Sequence, residues 1–263
     1  MQPILWAAMG TGFTFLMTAL GSALVFFFRK QASVRAQRIC LGFAAGVMVA
    51  ASIWSLLNPA IEEAEAAGGI GWIPAAGGFA LGIAFLVLLD VLLPHLHLNA
   101  RQPEGLRASW RRSTLLTLSV TLHNIPEGMA VGLAFAMAAQ HGGGAGTLSA
   151  AAALAIGMGL QNFPEGAAIS LPLRQEGMRR GGAFLRGCLS GIVEPVFGIG
   201  MVLAAPYIGH LMPWFLSFAA GAMMYVVVEE LIPEARLGEH SNAGTLGVMA
   251  GFLLMMVLDV ALG

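Results

Sequence analysis

The densest chemistry in the sequence lies in two near-copies, TLHNIPEG at Thr121 to Gly128 and LQNFPEG at Leu160 to Gly166, each set inside a long apolar run. On a helix, His123 and Glu127 are four residues apart and Asn124 and Glu127 three, so the three side chains share one face. Gln161, Asn162 and Glu165 repeat that geometry. Another acid deep in an apolar run is Glu194, followed by Pro195. Together these residues offer one imidazole, three amides and three carboxylates. Hard and borderline divalent cations take such mixtures of nitrogen and oxygen donors, and no thiolate lies at this depth. Three close carboxylates would not all stay ionised without a cation, so metal and protons should compete for them. The alternative is protonated glutamates bonding neighbouring helices, a role usually filled by Ser, Thr or Asn.

The elements that must position these groups are membrane helices. An ionisable side chain at mid-bilayer is costly and persists where it lines a cavity or a pathway. Pro126 and Pro164 cannot donate to the carbonyls of Leu122 and Leu160, so each helix should kink there and release an oxygen at the depth of the site. Gly128 and Gly166 then allow another helix to approach closely.

Composition supports that setting. Of 263 residues, 57% are hydrophobic and only 10% charged, against about 25% charged in soluble domains. Mean hydropathy is +0.79. The N-terminal MQPILWAAMG lacks a basic leader region and reads as a retained first helix. Cys40 and Cys188, near helix ends, read as small buried hydrophobes with no disulfide framework.

Apolar runs of about 20 residues predict eight transmembrane helices in an all-α polytopic protein forming one unit over 1–263. They fall near 4–28, 39–61, 70–93, 114–139, 146–172, 183–204, 211–231 and 242–262. All 13 Lys and Arg then fall in loops on one side. These are Arg29, Lys30, Arg35 and Arg38; Arg101, Arg107, Arg111 and Arg112; Arg174, Arg179, Arg180 and Arg186; and Arg236. The positive-inside rule makes those loops cytoplasmic and puts both termini outside. Helices four and five then cross in opposite directions with the same motif, which is the mark of an inverted repeat with a site near the midplane. On the outer side, Glu62, Glu63 and Glu65 form either a cation-attracting mouth or an ordinary solvated loop. His141 and His210 read as loop histidines.

HNIPEG, QNFPEG and the later Glu194 resemble the metal-binding helices four to six of the ZIP (ZRT/IRT-like) metal transporters, closest to their short prokaryotic GufA-type branch. The resemblance covers essentially the whole chain and implies an inverted 3+2+3 arrangement, commonly dimeric, with two adjacent midplane sites bridged by the motif glutamates. Carried over by position, one site would use His123, Glu127, Gln161 and Glu165 with Met48 as a soft ligand. The other would use Asn124, Glu127, Asn162, Glu165 and Glu194. Some relatives have Asp where this chain has Asn162, so its second site carries one negative charge fewer. Glu62 and Asp259 resemble the family's entrance carboxylates. Asp90, His95, His97, Glu229, Glu230 and Glu234 are candidate exit ligands at the inner ends of helices three and seven, ordinary interfacial polarity being the alternative there.

The reading is a carrier of the inner membrane that takes up Zn²⁺, and with it Fe²⁺, Mn²⁺, Co²⁺ or Cd²⁺, as substrate and without a cofactor. Its partners are the metal ions, the bilayer and a second copy of the chain. A passive cation channel is the first alternative. An intramembrane metallohydrolase is a weaker one, because HExxH is absent. With no Walker or dinucleotide glycine motif, ATP drive is not expected, nor is nucleic acid.

Overall fold

Inside a bilayer every backbone N–H and C=O must find a partner within the protein, and a helix satisfies them along its own length. The computed structural model of the chain describes residues 2–27, 33–93, 112–235 and 242–262, and the described residues contain helices and no strands. In chain order they are α1 Gln2–Phe27, α2 Val34–Ala51, α3 Asn58–Ala66, α4 Trp72–Leu92, α5 Arg112–Gln140, α6 Ala145–Gln175, α7 Arg180–Ser190, α8 Val193–Ile208, α9 Met212–Val226, α10 Ile232–Ala235 and α11 Ala243–Leu262. Among the described residues, five stretches are long and apolar enough to cross a membrane: Gln2–Phe27, Arg35–Ala66, Trp72–Leu92, Arg180–Ala235 and Ala243–Leu262. With 29 and 31 residues, α5 and α6 have the length but not the apolarity, because HNIPEG and QNFPEG dilute it. The helices least suited to lipid carry the candidate site. The chain is a polytopic membrane protein.

Three segments depart from the expected bounds. The helix expected over 39–61 is a longer rod in which α2 passes into α3 through a π-helical turn, Ser52–Leu57. The helix expected over 211–231 likewise continues from α9 to α10 through a second π turn, Val227–Leu231. A π turn adds a residue to the helical ladder and re-aims the side chains around it, which hydropathy cannot register. The helix expected over 183–204 is broken at Gly191 and Ile192, between α7 and α8. Pro195 explains the break: it has no N–H for the Gly191 carbonyl, and its ring crowds that oxygen. Pro126 and Pro164, by contrast, lie inside uninterrupted helices.

Packing is pairwise. The most intimate partners are α2 with α11, α1 with α6, α4 with α9, and α5 with α8. Small residues set these distances, because without a hydrophobic drive between helices in lipid, association depends on close backbone approach. A Cβ at Gly128 would stand 2.5 Å from both Cα and the carbonyl oxygen of Glu194, and one at Gly166 would collide with the Thr18 carbonyl. Only glycine fits at either place, so the two motif glycines dock α5 on α8 and α6 on α1. Leu133, Leu154, Met158, Leu216, Met223 and Met48 are among the fully buried side chains of the apolar core around the central helices. Large apolar residues such as Trp72, Leu246, Met249 and Val260 cover the periphery.

Candidate metal centre

His123, Asn124 and Glu127 project from α5, Gln161, Asn162 and Glu165 from α6, and Glu194 from the first turn of α8. All seven are buried, none more than 9% exposed. So many polar groups at that depth require partners, and the hydrogen bonds show which have them. Asn124 Nδ2 donates to the Ser190 carbonyl at 3.1 Å. Gln161 Nε2 donates to Asn162 Oδ1 at 2.7 Å, and Asn162 Nδ2 donates to Glu194 Oε2 at 2.8 Å. Three buried atoms of the set have no hydrogen-bond partner: Asn124 Oδ1, Glu127 Oε2 and Gln161 Oε1. All three are oxygens with lone pairs to give, the atoms a hard or borderline cation takes.

The carboxylates are neighbours. Glu127 lies within electrostatic reach of Glu165 and Glu194, and beside the Gln161 amide. Glu165 faces Glu194 and Glu230. Among the described residues no three His, Cys, Asp or Glu groups converge tightly enough to cage an ion by themselves. The donor set is therefore a mixed one, in which the Gln161 and Asn162 amides adjoin the Glu127 and Glu194 carboxylates. Met48, the expected soft ligand, is fully buried on α2, a helix packed against α6.

Sequence reasoning missed the contribution of α1. Thr11, Thr14, Thr18 and Ser22 are buried at 1% exposure or less. Thr18 Oγ1 donates to Glu194 Oε1 at 3.4 Å, and Ser22 Oγ donates to the Gly166 carbonyl at 3.1 Å. Hydroxyls three or four residues apart in an otherwise apolar first helix were the available signal, since that spacing lays them along one face.

Two cavities flank the centre. The larger, about 430 Å³, is bordered by Ser55, Glu62, Glu63, His141 and Asp259, so the two expected entrance carboxylates share one space. There Ser55 Oγ donates to Asp259 Oδ1 at 2.6 Å, and His141 Nε2 lies 3.3 Å from Glu63 Oε2. The smaller, about 30 Å³, touches His123, Glu165, Glu230 and Glu234. Glu230, expected at the inner end of the route, reaches the centre itself: its Oε2 is 3.0 Å from His123 Nδ1, while Oε1 accepts from Ser119 Oγ at 3.1 Å. Its position in the second π turn explains the difference, because that turn re-aims the side chain toward α5. Tyr225 donates to Asp90 Oδ2 at 2.5 Å, tying α9 to α4, and Glu229 is exposed. His95 and His97 lie outside the described residues.

Fold and site define a class: a helical polytopic membrane protein whose central helices carry buried oxygen and nitrogen donors between two flanking cavities. Residues 98–259 match the family model described as ZIP Zinc transporter. The chain is similar to the zinc transporter GufA of Myxococcus xanthus, at 40% identity over 94% of each chain. It is equally similar to the zinc transporter ZIPB of Bordetella bronchiseptica, at 40% identity over 98% of this chain and 82% of that one. Human zinc transporter ZIP11 is 38% identical over 98% of this chain and 97% of its own. The chain belongs to the ZIP family of zinc transporters, whose members are transporters and not enzymes.

Proposed function

We propose that this protein carries divalent metal ions, zinc foremost, across the cell's inner membrane into the cytoplasm. The observation that carries the reading is the trio of buried, unpartnered oxygens on Asn124, Glu127 and Gln161, set among the carboxylates of Glu165 and Glu194 on facing helices. A buried acceptor without a donor costs about 1–3 kcal/mol, and more when charged. A cation that enters the cluster relieves that cost. The ion is held by His123, Glu127, Gln161 and Glu165, with Met48 as the soft ligand, and Asn124, Asn162 and Glu194 form the flanking set. Iron, manganese, cobalt and cadmium are the other ions this donor mixture suits.

The ion approaches through the cavity of Glu62 and Asp259 and leaves past Glu230, Glu234, Asp90, His95 and His97. The fold in this reading is eight spans in an inverted 3+2+3 repeat, with both termini outside and two copies paired. The packing supports it. Exchange the first three rods for the last three and α5 for α6, and the α1–α6 pair becomes α8–α5 while α2–α11 becomes α9–α4. The same exchange maps one π turn onto the other. Transport then follows from one group of helices, α1 with α5 to α8, sliding against the rest and exposing the centre to each side in turn.

Uptake into proteoliposomes, with a panel of divalent ions and at several outside pH values, tests the reading. Saturable zinc accumulation at rates far below those of a pore supports the carrier. Flux that rises linearly with concentration would make the protein a channel, and no metal flux would remove the proposal.

A further inference from the structure

Two of the three flanking donors, Asn162 and Glu194, do not look outward for a cation; they hold each other. In the family's two-site pattern Asn162 and Glu194 would be co-ligands of one ion. Co-ligands both present lone pairs and stand apart around the metal. Here Asn162 turns its amide nitrogen to Glu194 and donates to Oε2 at 2.8 Å. That nitrogen has hydrogens and no lone pair to offer a metal. The same nitrogen stands 3.5 Å from the Thr14 carbonyl, and Oδ1 of Asn162 is engaged by Gln161 at 2.7 Å. Every polar atom of Asn162 thus has a protein partner. The other oxygen of Glu194 accepts from Thr18 of α1 at 3.4 Å. Two of the three unpartnered oxygens, on Glu127 and Gln161, lie in the other half, and in the flanking half only Asn124 Oδ1 is left, one neutral acceptor without a carboxylate beside it that is free of partners.

We propose that the Asn162 amide takes the place of a second cation, so that each copy of the chain holds a single substrate ion in the His123, Glu127, Gln161 and Glu165 half of the centre. Asn162 and Thr18 are positioning residues: their donors fix Glu194 beside the bound ion and make a second positive charge unnecessary. The inference rests on the metal-transport reading above and sharpens it from a binuclear to a mononuclear centre.

The test is the number of zinc ions bound by the full-length purified protein, measured by equilibrium dialysis with Zn²⁺ alone and metal analysis, for the parent and for Asn162→Asp. The substitution replaces the donor with a second anion at the same volume, leaving two carboxylates that need a shared cation. One zinc per copy in the parent and two in Asn162→Asp is the expected result, the second binding at least tenfold more tightly than any second ion in the parent. A purely structural role for Asn162 would lower the folded yield without raising that count. Two zinc ions in the parent with affinities within tenfold of each other would overturn the inference while leaving the transport reading intact, and this measurement does not depend on the variant folding. A well-folded Asn162→Asp that still binds one ion would overturn it as well. No zinc bound by the parent would sink the metal reading itself.

Discussion

Replacing Glu127 by Gln separates the metal's contribution from that of packing. Glu127 is 1% exposed, one of its carboxylate oxygens has no protein partner, and Glu165 and Glu194 stand close by. Glutamine keeps the shape and removes the charge. For the metal-bound state, deleting one member of a buried charge pair costs about 3–5 kcal/mol, or roughly two to four orders of magnitude in zinc affinity. For the metal-free state the sign reverses, because one of three carboxyl groups that resist ionising together is gone and the new amide can donate to a neighbouring carboxylate. Zinc uptake by proteoliposomes should therefore vanish while the thermal midpoint of the purified, chelator-treated protein stays level or rises. Calorimetric titration gives the affinity, and size-exclusion profiles check the fold. A monodisperse Glu127→Gln protein that carries zinc at the parental rate would refute the reasoning, leaving the repeated motif as helix-packing structure.

Gly128→Ala should cost about 1–3 kcal/mol, read as a lower thermal midpoint, since its methyl meets Glu194 backbone and no side chain can swing aside. Asp259→Asn removes an anion from the outer cavity and weakens the acceptor for Ser55; uptake kinetics should show a KM for zinc raised several-fold with kcat changed less. Cysteines placed at 68 and 142 should react with an impermeant reagent from outside and ones at 102–110 should not, and the reverse pattern would reject the uptake direction.

Much of the centre was legible because its cost is written in the sequence. Two copies of a polar hexad inside apolar runs have few explanations, and their internal spacing puts His123, Asn124 and Glu127 on one face before any fold is known. Glu194 was legible for the same reason, being an acid where lipid would forbid one. Thr18 was not, since a threonine in a membrane helix bonds its own backbone at little cost and gives hydropathy no warning. That second hydrogen bond, to Glu194, exists only after α1 has docked on α6 and α8. The contact of Glu230 with His123 was not legible either, because it depends on the register added by a π turn. The break before Glu194 was foreseeable from Pro195, whose missing N–H deprives the Gly191 carbonyl of its usual helical donor; the Glu194 N–H takes that carbonyl instead at 3.1 Å.

The distribution of polar contacts bears on the sliding movement proposed above. Bonds that shape the flanking set stay within the helices α1, α5, α6, α7 and α8: Thr18 to Glu194, Asn162 to Glu194, Asn124 to Ser190 and Ser22 to Gly166. That group can shift as a body without disturbing them. The ties to the remaining helices sit toward its two ends, with His123 and Ser119 meeting Glu230 near the smaller cavity and His141 meeting Glu63 at the larger one. A sliding body needs its substrate donors to travel together and its end contacts to exchange, and a few polar contacts of modest strength meet that requirement better than a continuous polar seam. His123, an ion donor in the reading proposed above, is also the partner of Glu230. In that reading, competition between metal and carboxylate for His123 would couple occupancy of the centre to closure of the end where Glu230 lies.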